Sequence, residues 1–266
     1  MIWKRLSAGL LFIIFAGMVY GQTKNQRDAA GRKQGYWEAI DNRGSLVYSG
    51  YFKDDKPVGE LKRYFPTGQV RVIMNYENEG RIARALFFWQ NGEFAARGNY
   101  IDAKRDSVWI YYSYYTKTVS HRVEYAAGKR NGKEQAFYPS GDVAEETNWK
   151  DDMKNGTWKQ FFDGGQLKVT ATYVDNKLEG LYTACYPNGT KEIEGFYRND
   201  VPDGEWKRFD EKGNQVLIIR YAGGRITNQD ELSAEEKEFF RKVTEQEGRI
   251  KEPTLEDLMR EAQQNR

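Results

Sequence analysis

Apolar and polar residues alternate along most of the chain, and turn-forming residues interrupt the alternation at regular intervals. In residues 167–173, for example, every second position is apolar, occupied by Leu167, Val169, Ala171 and Tyr173. A period of two is the spacing of a β-strand with one buried face. Glycines preceded by proline-containing or Asn-Gly sequences mark the turns, because glycine adopts positive φ without steric cost. The pattern predicts paired strands joined by tight turns.

The predicted hairpins recur with a period of 24 residues. In most copies a tryptophan or another apolar residue lies two residues after the start, an aromatic residue five after it, and the turn glycine nine after it. The single step of 25 falls in the fourth copy, whose turn lacks glycine. We call the copies units 1 to 8. They start at Gly35, Gly59, Ala83, Ser107, Gly132, Gly156, Gly180 and Gly204.

A hairpin of this size is marginal in water, so neighbouring units must stack. The sequence therefore predicts an all-β repeat fold: eight hairpins of about 24 residues, stacked into one elongated antiparallel sheet over residues 35–229, with a short α-helical C-terminal cap. The Trp, Tyr and Phe residues are expected to form its shared core. The aromatic positions two and five residues after each start have opposite parity. Either the first strand has a β-bulge or both faces of the sheet are partly covered, and the pattern allows both.

The repeating motif resembles the MORN repeat in its longer bacterial variant. Its features are Gly-x-Trp-x-x-Phe/Tyr, a turn glycine, apolar alternation ending in Tyr, and Asp/Asn-x-Lys-x-x-Gly, and the best copies start at Gly156 and Gly204. The resemblance covers about 193 of the 266 residues. Proteins of this variant are often labelled YwqK-like antitoxin components. The resemblance thus implies a scaffold or binding role, with neutralisation of a cognate toxin or membrane-surface association as alternatives.

Residues 1–21 are typical of a secretory signal peptide. Lys4 and Arg5 precede an uncharged segment, residues 6–19, and small residues follow where a signal peptidase cleaves. We expect cleavage before Gln22 and an exported, periplasmic or extracellular protein. The alternative is an uncleaved anchor, which needs about 20 apolar residues to span a bilayer. Residues 22–34 are predicted to be an N-terminal linker.

Composition excludes several classes of function. The single cysteine, Cys185, precludes an internal disulfide, and the single histidine, His121, removes two-histidine metal sites. Removing Lys4 and Arg5 from the 41 basic residues leaves 39, equal to the 39 acidic ones. A neutral chain has no electrostatic footprint for nucleic acid. Since catalytic and nucleotide-binding motifs are also missing, we expect a protein without enzymatic activity, metal or cofactor, whose partner is another protein.

Residues 230–266 are predicted to form an acidic helical tail, with 11 acids and 7 bases. Ser233 and Glu236 match a capping box that opens a helix, and a second helix is expected after Pro253. Two interpretations remain open. The helices could cover the exposed edge of the last strand, or the tail could dock a partner. The candidate contacts for such a partner are Phe239 and Phe240.

The candidate partner-binding residues of the array lie in unit 4. Five aromatic residues occupy seven positions beside the turn without glycine: Trp109, Tyr111, Tyr112, Tyr114 and Tyr115. By alternation Trp109 and Tyr111 share one face, so one set is expected to be exposed, as in many protein-binding surfaces. The alternative is an irregular unit whose aromatic residues fill a bend.

Two further residue types have structural roles in this interpretation. His121 aligns with inward positions and is expected to be a hydrogen-bonded core residue. Asp and Asn residues recur in the connectors between units, for example Asp151-Asp152 and Asp175-Asn176. Rows of such oxygens could hold calcium outside the cell, but the same residues are ordinary turn formers, and we expect turns.

Overall fold

The computed structural model describes residues 23–246. The predicted signal peptide and the predicted second tail helix lie outside the described residues. The side chains of Phe239 and Phe240 are likewise not described.

The described chain is nearly all β, as the alternation predicted. Each strand pairs antiparallel with the next along the chain, except that the short β14 and the following β15 both pair with β13. The strands are β1 (Gln26–Arg27), β2 (Lys33–Ile40), β3 (Leu46–Lys53), β4 (Lys56–Tyr64), β5 (Val70–Glu77), β6 (Ile82–Phe88), β7 (Phe94–Ile101), β8 (Lys104–Tyr112), β9 (Val119–Ala126), β10 (Lys129–Phe137), β11 (Val143–Lys150), β12 (Met153–Phe161), β13 (Leu167–Val174), β14 (Lys177–Leu178), β15 (Gly180–Cys185), β16 (Lys191–Arg198), β17 (Val201–Phe209), β18 (Gln215–Ala222) and β19 (Arg225–Ile226).

Two kinds of turn join the strands. Within a unit, the tip turn places a glycine at positive φ, such as Gly165 at 85°, whose N–H donates to the Phe162 carbonyl at 2.9 Å. In unit 4, Lys117 takes this role at φ 60°. Between units, two consecutive residues have positive φ, for example Asp175 at 49° and Asn176 at 69°. That conformation is a type I′ turn, which suits the twist of paired strands.

The connector turns also bond to one another along the sheet. The backbone N–H of Asn176 donates to the Lys154 carbonyl at 2.9 Å, and its side-chain oxygen accepts the Lys154 N–H at 2.7 Å. Asp152 makes the same pair of bonds to Arg130, at 3.0 and 2.9 Å. The Asp and Asn residues therefore act as turn residues, as expected, and several of their oxygens are engaged in joining successive units.

Both interpretations of the first strand are correct. The register against the preceding strand shifts at the start of units 2, 4, 5, 6 and 8, where the first residue has positive φ, such as Gly156 at 113°. This is a β-bulge. Beyond it the first strand is continuous, so that Trp158 and Phe161 lie on opposite faces, the first buried and the second half-buried. We call the face of Trp158 the Trp face and the opposite one the back face.

Unit 3 lacks this bulge. Its start is Ala83, which is paired in regular register with Tyr76 of the preceding strand. The extra residue lies instead in the connector, where Asn78, Glu79 and Gly80 all have positive φ. The unit thus keeps the repeat length with a longer turn and a regular strand.

The core lies on the Trp face and is divided into three clusters. They surround Trp37 in units 1 and 2, Trp109 in units 3 and 4, and Trp206 in units 6 to 8. In unit 5 the position of the tryptophan is held by Glu134, which lies 3.6 Å from the Arg130 guanidinium. In unit 5 this ion pair and the buried Trp149 thus lie between two apolar clusters of one continuous sheet.

An asparagine closes each end of the sheet. Before β2, the Asn25 N–H donates to the Tyr36 carbonyl at 2.9 Å, and its side-chain oxygen accepts the Glu38 N–H at 2.8 Å. The predicted linker, residues 22–34, therefore includes a strand, β1, and an edge cover. Unpaired strand edges recruit other chains, so this segment protects β2.

After β18, the side-chain amide of Asn228 takes the place of a neighbouring strand. Its oxygen accepts the Arg220 N–H at 2.9 Å, and its nitrogen donates to the Ile218 carbonyl at 3.0 Å. Leu232 is buried against the Trp206 cluster. The cover on the last strand thus comes from residues 225–232, which precede the helix.

One α-helix follows, α1 (Ala234–Gln246). It begins with the predicted capping box: the Glu236 N–H donates to Ser233 Oγ at 3.2 Å, and the Ser233 N–H donates to Glu236 Oε2 at 2.7 Å. Among residues 23–246 no helix is long and apolar enough to cross a membrane.

Candidate partner-binding site

The structure divides the aromatic residues of unit 4 into a buried set and a surface set. Trp109 has 0% exposure and Tyr111 is also buried. The Trp109 ring lies against Gly98, where a Cβ atom would be 2.3 Å from the ring, and its N–H donates to the Asn99 carbonyl at 3.1 Å. Trp109 and Tyr111 therefore correct the expectation of a surface contact, because they fill the core of units 3 and 4.

The buried set has its own polar contacts. The hydroxyls of Tyr111 and Tyr125 are 3.3 Å apart, and Arg105 donates to Tyr125 at 3.3 Å. Burial is the main reason that the pKa of Tyr111 is raised well above its ordinary value, and the nearby Tyr125 hydroxyl raises it further. His121 is half-buried and in register with Tyr111, on the inward face where it was expected. These groups stabilise the interior and offer no open site.

The surface set of unit 4 gathers at the tips of units 3 and 4 with three residues from unit 3, of which Trp89 is itself buried, at 5% exposure. Ring centroids are 5.5 Å apart for Trp89 and Tyr114, and 5.4 Å apart for Tyr114 and Tyr115. On the back face, Phe94 lies 5.2 Å from Phe88 and 5.9 Å from Tyr112. Such spacings are typical of favourable aromatic pairs. We call these six residues the tip cluster: Phe88, Trp89, Phe94, Tyr112, Tyr114 and Tyr115.

The turn of unit 4 positions this cluster. Its one extra residue is accommodated by the positive φ of Lys117, and the Ser113 N–H donates to the Thr118 carbonyl at 2.9 Å. The Lys117 ammonium then contacts Glu93 of the unit 3 turn at 2.8 Å. Adjacent tips are thus joined, and Tyr115 is left 63% exposed.

Sequence reasoning missed Phe88, Trp89 and Phe94, although a signal for them exists. Phe88 and Phe94 flank the unit 3 turn at positions five and eleven residues after the start, and cross-strand register pairs them directly. The same positions carry Tyr112 and Val119 in unit 4. Comparing adjacent units by position would have joined them to the unit 4 residues.

The other predicted groups add no second site. Phe239 and Phe240 lie within α1, and their side chains fall outside the described residues, so their role stays a prediction. Cys185 is half-buried, and burial raises the pKa of its thiol. Within residues 23–246, no three His, Cys, Asp or Glu side chains converge in a way that could hold a metal ion.

Comparison with known proteins identifies the repeat. The family model described as MORN repeat variant matches residues 57–78, 130–151 and 154–175, which lie mainly in units 2, 5 and 6. The chain therefore carries MORN-type repeats, as its motif predicted. No curated protein matches the chain.

Solved structures are similar to it only in part. "Crystal Structure of TarM" shares 13% identity at a TM-score of 0.21, covering 45% of this chain and 19% of that chain. A mutant of S. aureus TarM in complex with Fondaparinux, alpha-GlcNAc-glycerol and UDP shares 11% at 0.22, covering 55% and 21%. "Crystal Structure of TcdB2-TccC3-TEV" shares 11% at 0.18, covering 74% and 14%. The chain thus spans about a fifth or less of each of these proteins.

Proposed function

We propose that this chain of MORN-type repeats is an exported, non-enzymatic binding protein that presents its β-surface to a protein partner at the cell envelope, with the tip cluster as the contact. Export rests on the signal-like residues 1–21. MORN repeats are generally binding or scaffold modules, which supports the class of function. The single observation that carries the site is the exposed aromatic group at the tips of units 3 and 4.

Exposed aromatic side chains are few on the described chain, and the tip cluster holds a large share of them. Tyr115 is 63% and Phe94 is 46% exposed; the other large exposed aromatic residues are Tyr51 and Phe196, at 44% and 52%. Those two belong to units 1 and 7. Aromatic anchors in rigid surroundings contribute strongly to binding because little side-chain freedom is lost on association. The tip cluster has this property in two groups of contacting rings, Trp89–Tyr114–Tyr115 on one face and Phe88–Phe94–Tyr112 on the back face.

Photo-crosslinking in the producing cell tests the site. A photoreactive phenylalanine analogue replaces Tyr115 in one variant and Val216, a residue of unit 8 that is 52% exposed, in a matched control. We expect a discrete protein adduct from position 115 and none from position 216. Adducts of equal yield at both positions, or no adduct at position 115, would contradict the proposal.

The identity of the crosslinked protein also tests the antitoxin role that the motif's resemblance implies. In that case the partner is a toxin, and co-production of the chain restores growth to cells that make it. Replacing Phe94 and Tyr115 by alanine should abolish the rescue, because both are surface contacts. Rescue by the double variant at the wild-type level would separate the antitoxin role from the tip cluster.

A further inference from the structure

Two arginines on the back face lie beside the tip cluster without an ionic partner. Arginines project from several strands of this face, and those of β6, β16 and β18 are paired with acids. Arg84 lies 3.4 Å from Glu77, and Arg220 lies 3.3 Å from Glu205. Arg97 and Arg122 are exposed and make no side-chain hydrogen bond or ion pair with any residue of 23–246. Their guanidinium groups are therefore available to a ligand.

Cross-strand register places these two arginines on either side of one apolar residue. Ile110 of β8 is in register with Arg97 on β7 and with Arg122 on β9. The arginine Cα atoms are thus two strand spacings apart, about 10 Å. Phe94 lies three residues before Arg97 on β7, and Tyr112 lies two residues after Ile110 on β8. The arginine pair and the back-face part of the tip cluster form one continuous surface.

Two nearby carboxylates, those of Glu124 and Glu93, form no ion pair with either arginine. Glu124 is two residues beyond Arg122, but its carboxylate accepts the Lys133 N–H at 3.1 Å. Glu93, next to Phe94, pairs with Lys117 at 2.8 Å. Elsewhere on the back face, Lys62 pairs with Glu60 at 2.9 Å. Units 3 and 4 therefore place two arginines that form no ion pair within the described chain beside the exposed aromatic side chain of Phe94.

We infer that the partner meets units 3 and 4 through an acidic segment, with two carboxylates that bind Arg97 and Arg122 and an apolar side chain between them that packs on Ile110. Arginine suits this role, because its planar guanidinium binds a carboxylate through two parallel hydrogen bonds. On an α-helix, residues seven apart lie about 10.5 Å apart along the axis, which matches the arginine spacing. This inference rests on the proposed function and specifies the chemistry of the same site.

Selection from a random-peptide phage library on the immobilised chain tests it. Binders are sorted by competition against two variants: Phe94→Ala/Tyr112→Ala, which reports the aromatic site, and Arg97→Glu/Arg122→Glu, which reports the charges. The matched control is Lys53→Glu/Lys150→Glu, with the same change in net charge at exposed positions distant from the patch. Circular dichroism verifies that each variant is folded.

We expect binders that depend on Phe94 and Tyr112 to be rich in Asp and Glu around an apolar residue. Arg97→Glu/Arg122→Glu should weaken them by about tenfold or more, the lysine control by less than about twofold, and ionic strength raised from about 0.1 M to about 1 M should weaken them further. Neutral or basic binders, or equal loss in the lysine control, would overturn the inference and leave the aromatic site intact. Failure to obtain any binder that depends on Phe94 and Tyr112 would count against the proposed function itself.

Discussion

Gly195 is a position where a single methyl group should measurably weaken the fold. The indole ring of Trp206 lies directly over it, and a Cβ atom built on Gly195 would be 2.1 Å from the nearest ring carbon. The ring has 0% exposure and cannot easily retreat, because the rings of Tyr197 and Tyr182 lie 4.9 and 5.6 Å away. Its N–H also donates to the Phe196 carbonyl at 3.1 Å. Gly195→Ala must therefore displace a fully enclosed side chain.

The opposing contributions can be compared. The φ of Gly195 is outside the left-handed region, so alanine alone would favour the strand by about 0.5–1 kcal/mol. Overpacking a core typically costs about 1–3 kcal/mol, and loss of the indole hydrogen bond costs about 0.5–1.5 kcal/mol. The clash outweighs the gain in strand propensity. We expect Gly195→Ala to lower the free energy of unfolding by about 1–3 kcal/mol.

Urea denaturation followed by circular dichroism measures this change, and a double-mutant cycle assigns it to the ring. In a Trp206→Leu background, Gly195→Ala should cost less than about 1 kcal/mol, because the indole is gone. Unit 2 has a leucine, Leu61, at the position of Trp206. A Cβ atom built on the facing Gly50 would lie 3.0 Å from the nearest backbone atoms and 3.1 Å from the Leu61 Cβ, a much milder approach than that to the indole. A neutral or stabilising Gly195→Ala, or an equal cost in both backgrounds, would refute the reasoning.

Three other changes test other parts of the structure. Asn228→Leu removes both side-chain amide hydrogen bonds to β18, so we expect the free energy of unfolding to fall by about 1–3 kcal/mol and light scattering to show concentration-dependent association. A variant that stays monomeric and as stable as the wild type would contradict the edge-cover role. Hydrogen bonds from Arg32 lower the pKa of Asp28 from 3.8 to about 2. The stabilisation by the Asp28 carboxylate is therefore complete above pH 3.8 and is lost as the pH falls towards 2. Hydrogen exchange of residues 24–32, corrected for the intrinsic rate, should rise over that window in the wild type and be independent of pH in Asp28→Asn. Deletion of residues 156–179, one complete unit, should leave a folded β protein by circular dichroism, because each unit contacts only its neighbours; collapse to an unfolded chain would show that unit 6 is not interchangeable.

The hairpins could be predicted because local chemistry determines them. The two-residue alternation, the turn glycines and the 24-residue step each arise within a unit or between adjacent units, and all appear in the structure. The Ser233 capping box was equally local. Predictions succeeded where the interacting residues lie close in sequence or recur at a constant step.

The remaining features depend on what lies across the strands. Trp109 and Tyr115 belong to the same aromatic run in the sequence. Gly98 on the neighbouring strand provides space for the Trp109 ring and not for the Tyr115 ring. The position of Arg97 beside Ile110 became visible only from the cross-strand register. Asn228 resembles a loop residue until its amide is seen to replace a strand neighbour. Alternation assigns a face, but cross-strand partners decide exposure and pairing.

The central claim is that a partner binds at units 3 and 4. Hydrogen–deuterium exchange, measured on the chain alone and in complex with the protein captured through position 115, tests it most directly. We predict slower exchange on binding in β6 to β9 and in the turns that carry Phe94 and Tyr115, with units 1, 7 and 8 unchanged. Protection centred on units 7 and 8, or spread evenly over the eight units, would contradict the claim.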